Sequence, residues 1–116
     1  MSVRALTDDA QGLLDEIKDL IKQGHIATWA YKGMGDFTHT ASGGQWKGKA
    51  WFRPKAEKSR LRLRLLKPKD QGLIREAFAI YHGRFIEMLI AHVPGYFTDA
   101  RATPNPERDE SELDDD

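Results

Sequence analysis

The sequence contains no cysteine, which excludes disulfides, thiolate metal sites and cysteine nucleophiles. It also lacks any stretch approaching the ~18 apolar residues of a membrane-spanning helix. The opening Met1-Ser2-Val3-Arg4 leads into no apolar run of the kind a secretory leader carries. The expectation is a cytoplasmic chain with no membrane contact. No glycine loop suited to cradling phosphate is present, because Gly33-Met34-Gly35 is followed by neither a helix pattern nor a lysine and reads as a turn. The four histidines, His25, His39, His82 and His92, include no pair at the i, i+3 or i, i+4 spacing of helical metal ligands. Neither a metal nor a cofactor is expected.

What remains is a chain of 116 residues, 40% hydrophobic and 31% charged, a composition that fits one small globular domain. Its formal net charge of zero hides a division. From Asp99 onward, eight acids (Asp99, Glu107, Asp109, Glu110, Glu112, Asp114, Asp115, Asp116) face only Arg101 and Arg108, a net of −6. The preceding residues therefore carry a net of +6. Such asymmetry bears on partners more than the total does.

Residues 8–23 read as an amphipathic helix, with Leu13, Leu14, Ile17, Leu20 and Ile21 on one stripe, Thr7 as its cap and Gly24 as its stop. Between Ile26 and Leu66 the pattern changes to alternation punctuated by glycine, which predicts strands near 26–32, 36–41, 45–53 and 60–66. Turns at 33–35 and at Gly43-Gly44, with a loop from Pro54 to Ser59, set the expected registers. Trp29 falls opposite His39, Tyr31 opposite Phe37, Ala41 opposite Trp46, Phe37 opposite Ala50, and Phe52 opposite Leu61. One face then gathers Trp29, Tyr31, Phe37, Trp46, Phe52, Leu61, Leu63 and Leu65. After Lys67-Pro68-Lys69, Asp70 can cap a second helix running to about Val93, where Pro94-Gly95 ends it.

The expected fold is therefore α+β: a two-layer sandwich of helix, four-stranded antiparallel meander and helix over residues 1–97, then a disordered acidic tail over 98–116. A three-stranded division is the alternative. It gives the order helix, three strands, helix, which is similar to that of double-stranded RNA-binding domains. The start of the second helix, Lys69-Asp70-Gln71-Gly72-Leu73, departs from that family: it lacks the family's lysine cluster, and Asp70 would repel phosphate.

Two candidate sites follow. The first is the polar sheet face, where Lys47, Lys49, Trp51, Arg53, Arg60, Arg62 and Arg64 project together. Like charges directly across strands are unfavourable, so the cluster calls for solvation, for stacking of Arg62 on Trp51, or for an anionic partner. That partner is an acidic protein surface, single-stranded nucleic acid, or the chain's own C-terminal tail. The second is a pocket around His39, Tyr81, His82 and Arg84, where His82 could act as a base and Arg84 hold an anion. Against it, Tyr81 belongs to the core stripe, Gly83 suits a close helix–sheet approach, and Arg84–Glu87 is an ordinary helical pair. The reading favoured is a non-enzymatic binding domain acting through the basic face. An enzyme or ligand-binding domain at His39 and His82 is the alternative, and no catalytic residue is assigned. Sequence alone leaves the oligomeric state open.

Overall fold

A computed structural model describes residues 2–32, 35–40, 50–66 and 75–103. The chain begins with a strand, β1 (Ser2–Leu6), before the helix α1 (Ala10–Lys22). Four strands follow: β2 (Trp29–Lys32), β3 (Asp36–His39), β4 (Trp51–Ala56) and β5 (Arg60–Leu66). Helix α2 (Arg75–His92) and a short 3-10 turn (Pro94–Tyr96) lead into a last strand, β6 (Asp99–Ala102). All six strands join one antiparallel sheet in the order β2-β3-β4-β5-β1-β6. Among the described residues, no helix is long and apolar enough to cross a membrane.

The expected meander is thus present but undercounted by two strands, both contributed by the ends of the chain. β1 lies between β5 and β6, with Val3 opposite Leu63 on one side and Ala102 on the other. β6 is poor in strand-forming side chains and depends on β1 for its pairing. The two are also linked by Thr98 N–H to the Leu6 carbonyl (2.9 Å), Thr103 N–H to the Ser2 carbonyl (3.0 Å) and Ser2 N–H to Thr103 Oγ1 (2.9 Å). Ordered structure therefore passes residue 97, where the acidic tail was expected to begin. Residues 104–116 lie outside the described residues, as do the Gly43-Gly44 turn, Trp46 and Asp70.

The local reasons for α1 are visible in its ends. Asp9, rather than Thr7, is the N-cap: its Oδ1 accepts from Gly12 N–H at 3.0 Å, while Thr7 Oγ1 accepts from Asp9 N–H at 3.1 Å. At the other end Gly24 takes a left-handed φ of 82°. There its N–H reaches the Ile21 carbonyl and the His25 N–H reaches the Leu20 carbonyl, the paired closure that glycine permits.

Registers differ from expectation by even numbers. Trp29 opposite His39 and Tyr31 opposite Phe37 stand as read. Phe37, however, meets Phe52 rather than Ala50, and Phe52 meets Leu65 rather than Leu61. The second of these shifts comes from the β4–β5 connection, whereas the β3–β4 connection lies outside the described residues. Glu57 N–H bonds the Arg60 carbonyl at 2.9 Å, so Lys58-Ser59 alone make the turn and Pro54-Lys55-Ala56 belong to β4. Pro54 is tolerated because β3 begins at Asp36, level with Arg53 in this register, so Pro54 lies past its end. Shifts of two and four residues preserve which face each side chain takes.

Both helices pack on the apolar face. One buried cluster unites Leu13, Leu14 and Ile17 of α1, Phe78, Tyr81, Phe85, Met88 and Leu89 of α2, and Val3, Ala5, Trp29, Phe37, Phe52, Leu61, Leu63 and Leu65 of the sheet. Trp29 sits among Phe85, His39 and Tyr81, with ring centroids 5.0, 5.1 and 5.7 Å away and all three contacts edge-on, the geometry aromatic quadrupoles favour.

Candidate functional site

The helix-free face is built by the same alternation that builds the core. With Val3, Ala5, Leu61 and Leu63 turned toward the helices, the residues between them, Arg4 and Arg62, must point the other way. The register then aligns Arg101 of β6 with Arg4 of β1, Arg4 with Arg62 of β5, and Arg62 with Lys55 of β4. Four cationic residues on four successive strands stand in one cross-strand row. The neighbouring row runs Ser2, Arg64, Arg53. Each directly opposed like-charge pair costs roughly a few tenths of a kcal/mol.

Described carboxylates compensate three positions around this face. Asp36 takes Arg53 through two hydrogen bonds, at 3.2 and 3.1 Å. Glu57 pairs with Arg60, and Asp99 with Arg101 at 3.0 Å. Seven cations (Arg4, Arg53, Lys55, Arg60, Arg62, Arg64, Arg101) gather on this face, and Arg4 and Arg62 also have interactions of their own. The face is not uniformly solvated. Arg62 is only 6% exposed, and Ser2 and Leu66 on the same side are buried too. Arg64 is half-buried, and its Nε is shut from solvent with no hydrogen-bond partner among the described residues.

Of the residues assigned to this face from sequence, Arg53, Arg60, Arg62, Arg64 and Trp51 lie on it, whereas Lys47 and Lys49 fall outside the described residues. Trp51 is half-buried and opposite Leu66. Because the register moved by four, Arg62 faces Lys55, two rows from Trp51, and the expected Arg62–Trp51 stacking pair is not formed across the strands. Sequence reasoning missed Arg4, Lys55 and Arg101. The signal was there: Val3-Arg4-Ala5 and Ala100-Arg101-Ala102 repeat the apolar-Arg-apolar pattern of Leu61-Arg62-Leu63.

The second candidate is a packed interior. His39, Tyr81 and His82 are all buried. The His39 ring lies 6.1 Å from that of Tyr81, and His82 lies against Phe52 at 5.1 Å and Phe78 at 4.1 Å. His82 Nδ1 is 2.8 Å from the Phe78 carbonyl, so Nδ1 carries the proton and donates it there. Nε2 is left as a bare acceptor, buried and without a partner among the described residues. Desolvation lowers the His82 pKa to about 4 against the pull of that carbonyl. Burial also lowers the His39 pKa, with the Arg84 charge adding to the effect and Glu87 opposing it. Both imidazoles are thereby held neutral near pH 7.

Arg84 points away from this cluster, paired with Glu87 at 3.2 Å on the exposed side of α2. Gly83 is exposed and a Cβ there would meet nothing within 4 Å, so it does not serve a close helix–sheet approach. A cleft of about 260 Å³ on that outer side is lined by Ala79, Ile80, Gly83, Arg84 and Glu87. A larger one of about 660 Å³ lies between the β1–α1 corner, the β4–β5 turn and the 3-10 segment, bordered by Asp8, Lys58 and Tyr96 among others. Neither includes His39, Tyr81 or His82.

Compared with protein-family models, with curated proteins and with solved structures, the chain matches none of them.

Proposed function

We propose that the chain is a non-enzymatic binding domain whose helix-free sheet face engages an acidic polypeptide segment. The observation that carries this reading is the in-register row Arg101–Arg4–Arg62–Lys55. Such a row works against the sheet's own stability and becomes favourable when carboxylates lie across it. Successive cations of the row stand one strand spacing apart, about 4.8 Å, which suits an extended acidic segment laid across the strands. The composition of the face favours polypeptide over single-stranded nucleic acid. Platforms that stack bases present several aromatic rings, and Trp51 is the one aromatic residue that the described strands place on this face.

The test is titration of the full chain with poly-L-glutamate and, separately, with single-stranded DNA over a range of salt. The reading expects binding to the glutamate polymer that weakens as salt screens the face. Tighter binding to DNA, with a slope of nearly one unit per neutralised phosphate, would move the partner to nucleic acid. Absence of salt-dependent binding to either polymer would overturn the proposal.

A further inference from the structure

The sheet ends in two edges, β2 and β6, whose outer sides have no strand neighbour among the described residues. An open edge is a template for a further strand, and backbone parity decides which residues can bond outward. On β6 the parity is fixed by two hydrogen bonds from β1. The Ser2 carbonyl accepts from Thr103 N–H at 3.0 Å, and the Leu6 carbonyl accepts from Thr98 N–H at 2.9 Å. The even-numbered residues of β1 therefore face β6, and the residues opposite them, Asp99 and Arg101, face back toward β1. By alternation the N–H and C=O groups of Ala100 and Ala102 point out of the edge. Both side chains are too small to screen them, and the strand Asp99-Ala100-Arg101-Ala102 is exposed apart from the half-buried Ala100.

A second copy of the same strand fits this edge. Antiparallel pairing about a twofold axis at Ala100 joins that residue to its own counterpart by two hydrogen bonds, as the parity requires. The same register sets Asp99 of each copy opposite Arg101 of the other. These are the closely spaced, non-hydrogen-bonded positions, with Cα atoms about 4.5 Å apart, where cross-strand side chains interact most. Asp99 and Arg101 are both exposed and lie 3.0 Å apart within the chain, so the two copies bring together one cluster of alternating charge. The other edge lacks this complementarity. Thr40 N–H bonds the Thr28 carbonyl at 2.8 Å, which makes Trp29 and Tyr31 the outward residues of β2. Self-pairing about Trp29 opposes Ala30 to Thr28, and self-pairing about Tyr31 opposes Lys32 to Ala30. Neither register matches opposite charges.

We propose that β6 is a self-association edge, through which two copies of the chain join their sheets about a twofold axis at Ala100. Residues directly opposed in an antiparallel pair share a face, so both helix-free faces lie on one side of the joined sheet and the helices on the other. The Arg101–Arg4–Arg62–Lys55 rows of the two copies then continue one another across the axis. They are offset by the two-residue step from Asp99 to Arg101, about 7 Å. The contact is short and rests on main-chain hydrogen bonds and two symmetric ion pairs, which makes the dimer weak and sensitive to salt. This inference does not depend on what binds the helix-free face.

Sedimentation equilibrium of the full chain, over a concentration series at low salt, tests the proposal. The wild type is expected to show a reversible monomer–dimer equilibrium. Asp99→Arg sets arginine against arginine at both pairs across the axis, and Arg101→Asp sets acid against acid. Each variant alone is expected to dimerise roughly tenfold more weakly, because two attractive pairs become repulsive. An equimolar mixture of the two variants restores opposite charges at both pairs and is expected to recover the wild-type association. The pair within the chain is lost in both variants, so recovery on mixing separates a contact between copies from a role inside one. Should either substitution unfold the chain by circular dichroism, Ala100→Pro takes its place: it removes the outward N–H, spares the bonds to β1, and is expected to abolish the dimer. A wild type that stays monomeric up to roughly millimolar concentration overturns the proposal. So does a dimer that these substitutions leave unchanged, or a mixture that associates no better than its components.

Discussion

The two faces of this sheet are made by the same strands, yet they obey different rules. On the helix side, Leu61, Leu63 and Leu65 alternate into a closed core, and burial of apolar area decides everything. On the other side, Arg60, Arg62 and Arg64 occupy the intervening positions, and charge decides. The first face is satisfied within the described chain. The second gathers seven cations in adjacent cross-strand rows, with described carboxylates set against Arg53, Arg60 and Arg101. A β-strand cannot optimise one face without committing the other, because a one-residue slip exchanges them. The basic row is thus as firmly placed as the core, although the core supplies the stability.

The comparison breaks most visibly by mutation at Leu63, which is fully buried. Leu63→Ala should cost roughly 3–5 kcal/mol in urea denaturation, a large share of the stability of so small a domain. If the loss were small, the apolar face would not be the source of stability.

Acid should attack the same face next. The His82 pKa falls from 6.5 to about 4 on folding, so the unfolded chain binds the proton more readily. Stability from this group is complete above pH 6.5 and is lost as pH falls toward 4, a difference of about 3 kcal/mol. His39 is shifted in the same direction. Denaturation at pH 7.5 and 4.5 should show the loss, and His82→Leu should reduce it. An unchanged acid dependence in that variant would place the titration elsewhere.

A smaller effect is expected at the helix end. Asp9→Ala removes the cap on Gly12 N–H and should lower stability by about 1 kcal/mol. On the opposite face, Lys55→Ala should change stability by no more than about 0.5 kcal/mol, because Lys55 is exposed. A large loss there would show that the basic row is structural.

The central hairpins and both helices were legible because their signals are local. Alternation in Trp29-Ala30-Tyr31 and Leu61-Arg62-Leu63 sets the faces, and Gly24 marks a stop that its positive φ explains. β1 and β6 were not legible, for a physical reason. Ser2-Val3-Arg4-Ala5-Leu6 and Asp99-Ala100-Arg101-Ala102 are short and rich in small residues, and their pairing partners lie far away in sequence. Pro54 misled in the other direction: it reads as a break, yet it sits inside β4 opposite Leu63, at a point that β3 does not reach. The β4–β5 register error followed from its turn, and the faces survived because both register errors were even. The candidate site was accordingly read with the right side and the wrong neighbours: Arg62 was matched to Trp51, and Arg4 and Arg101, which complete its row, were not seen.

The most direct test reverses the two exposed members of that row, Lys55 and Arg101, leaving the buried Arg62 untouched. The chain carrying Lys55→Glu and Arg101→Glu should keep its melting temperature and lose about tenfold or more in affinity for poly-L-glutamate at low salt, a loss that shrinks as salt is raised. Wild-type affinity in a folded double variant would contradict the assignment of this face as the binding surface.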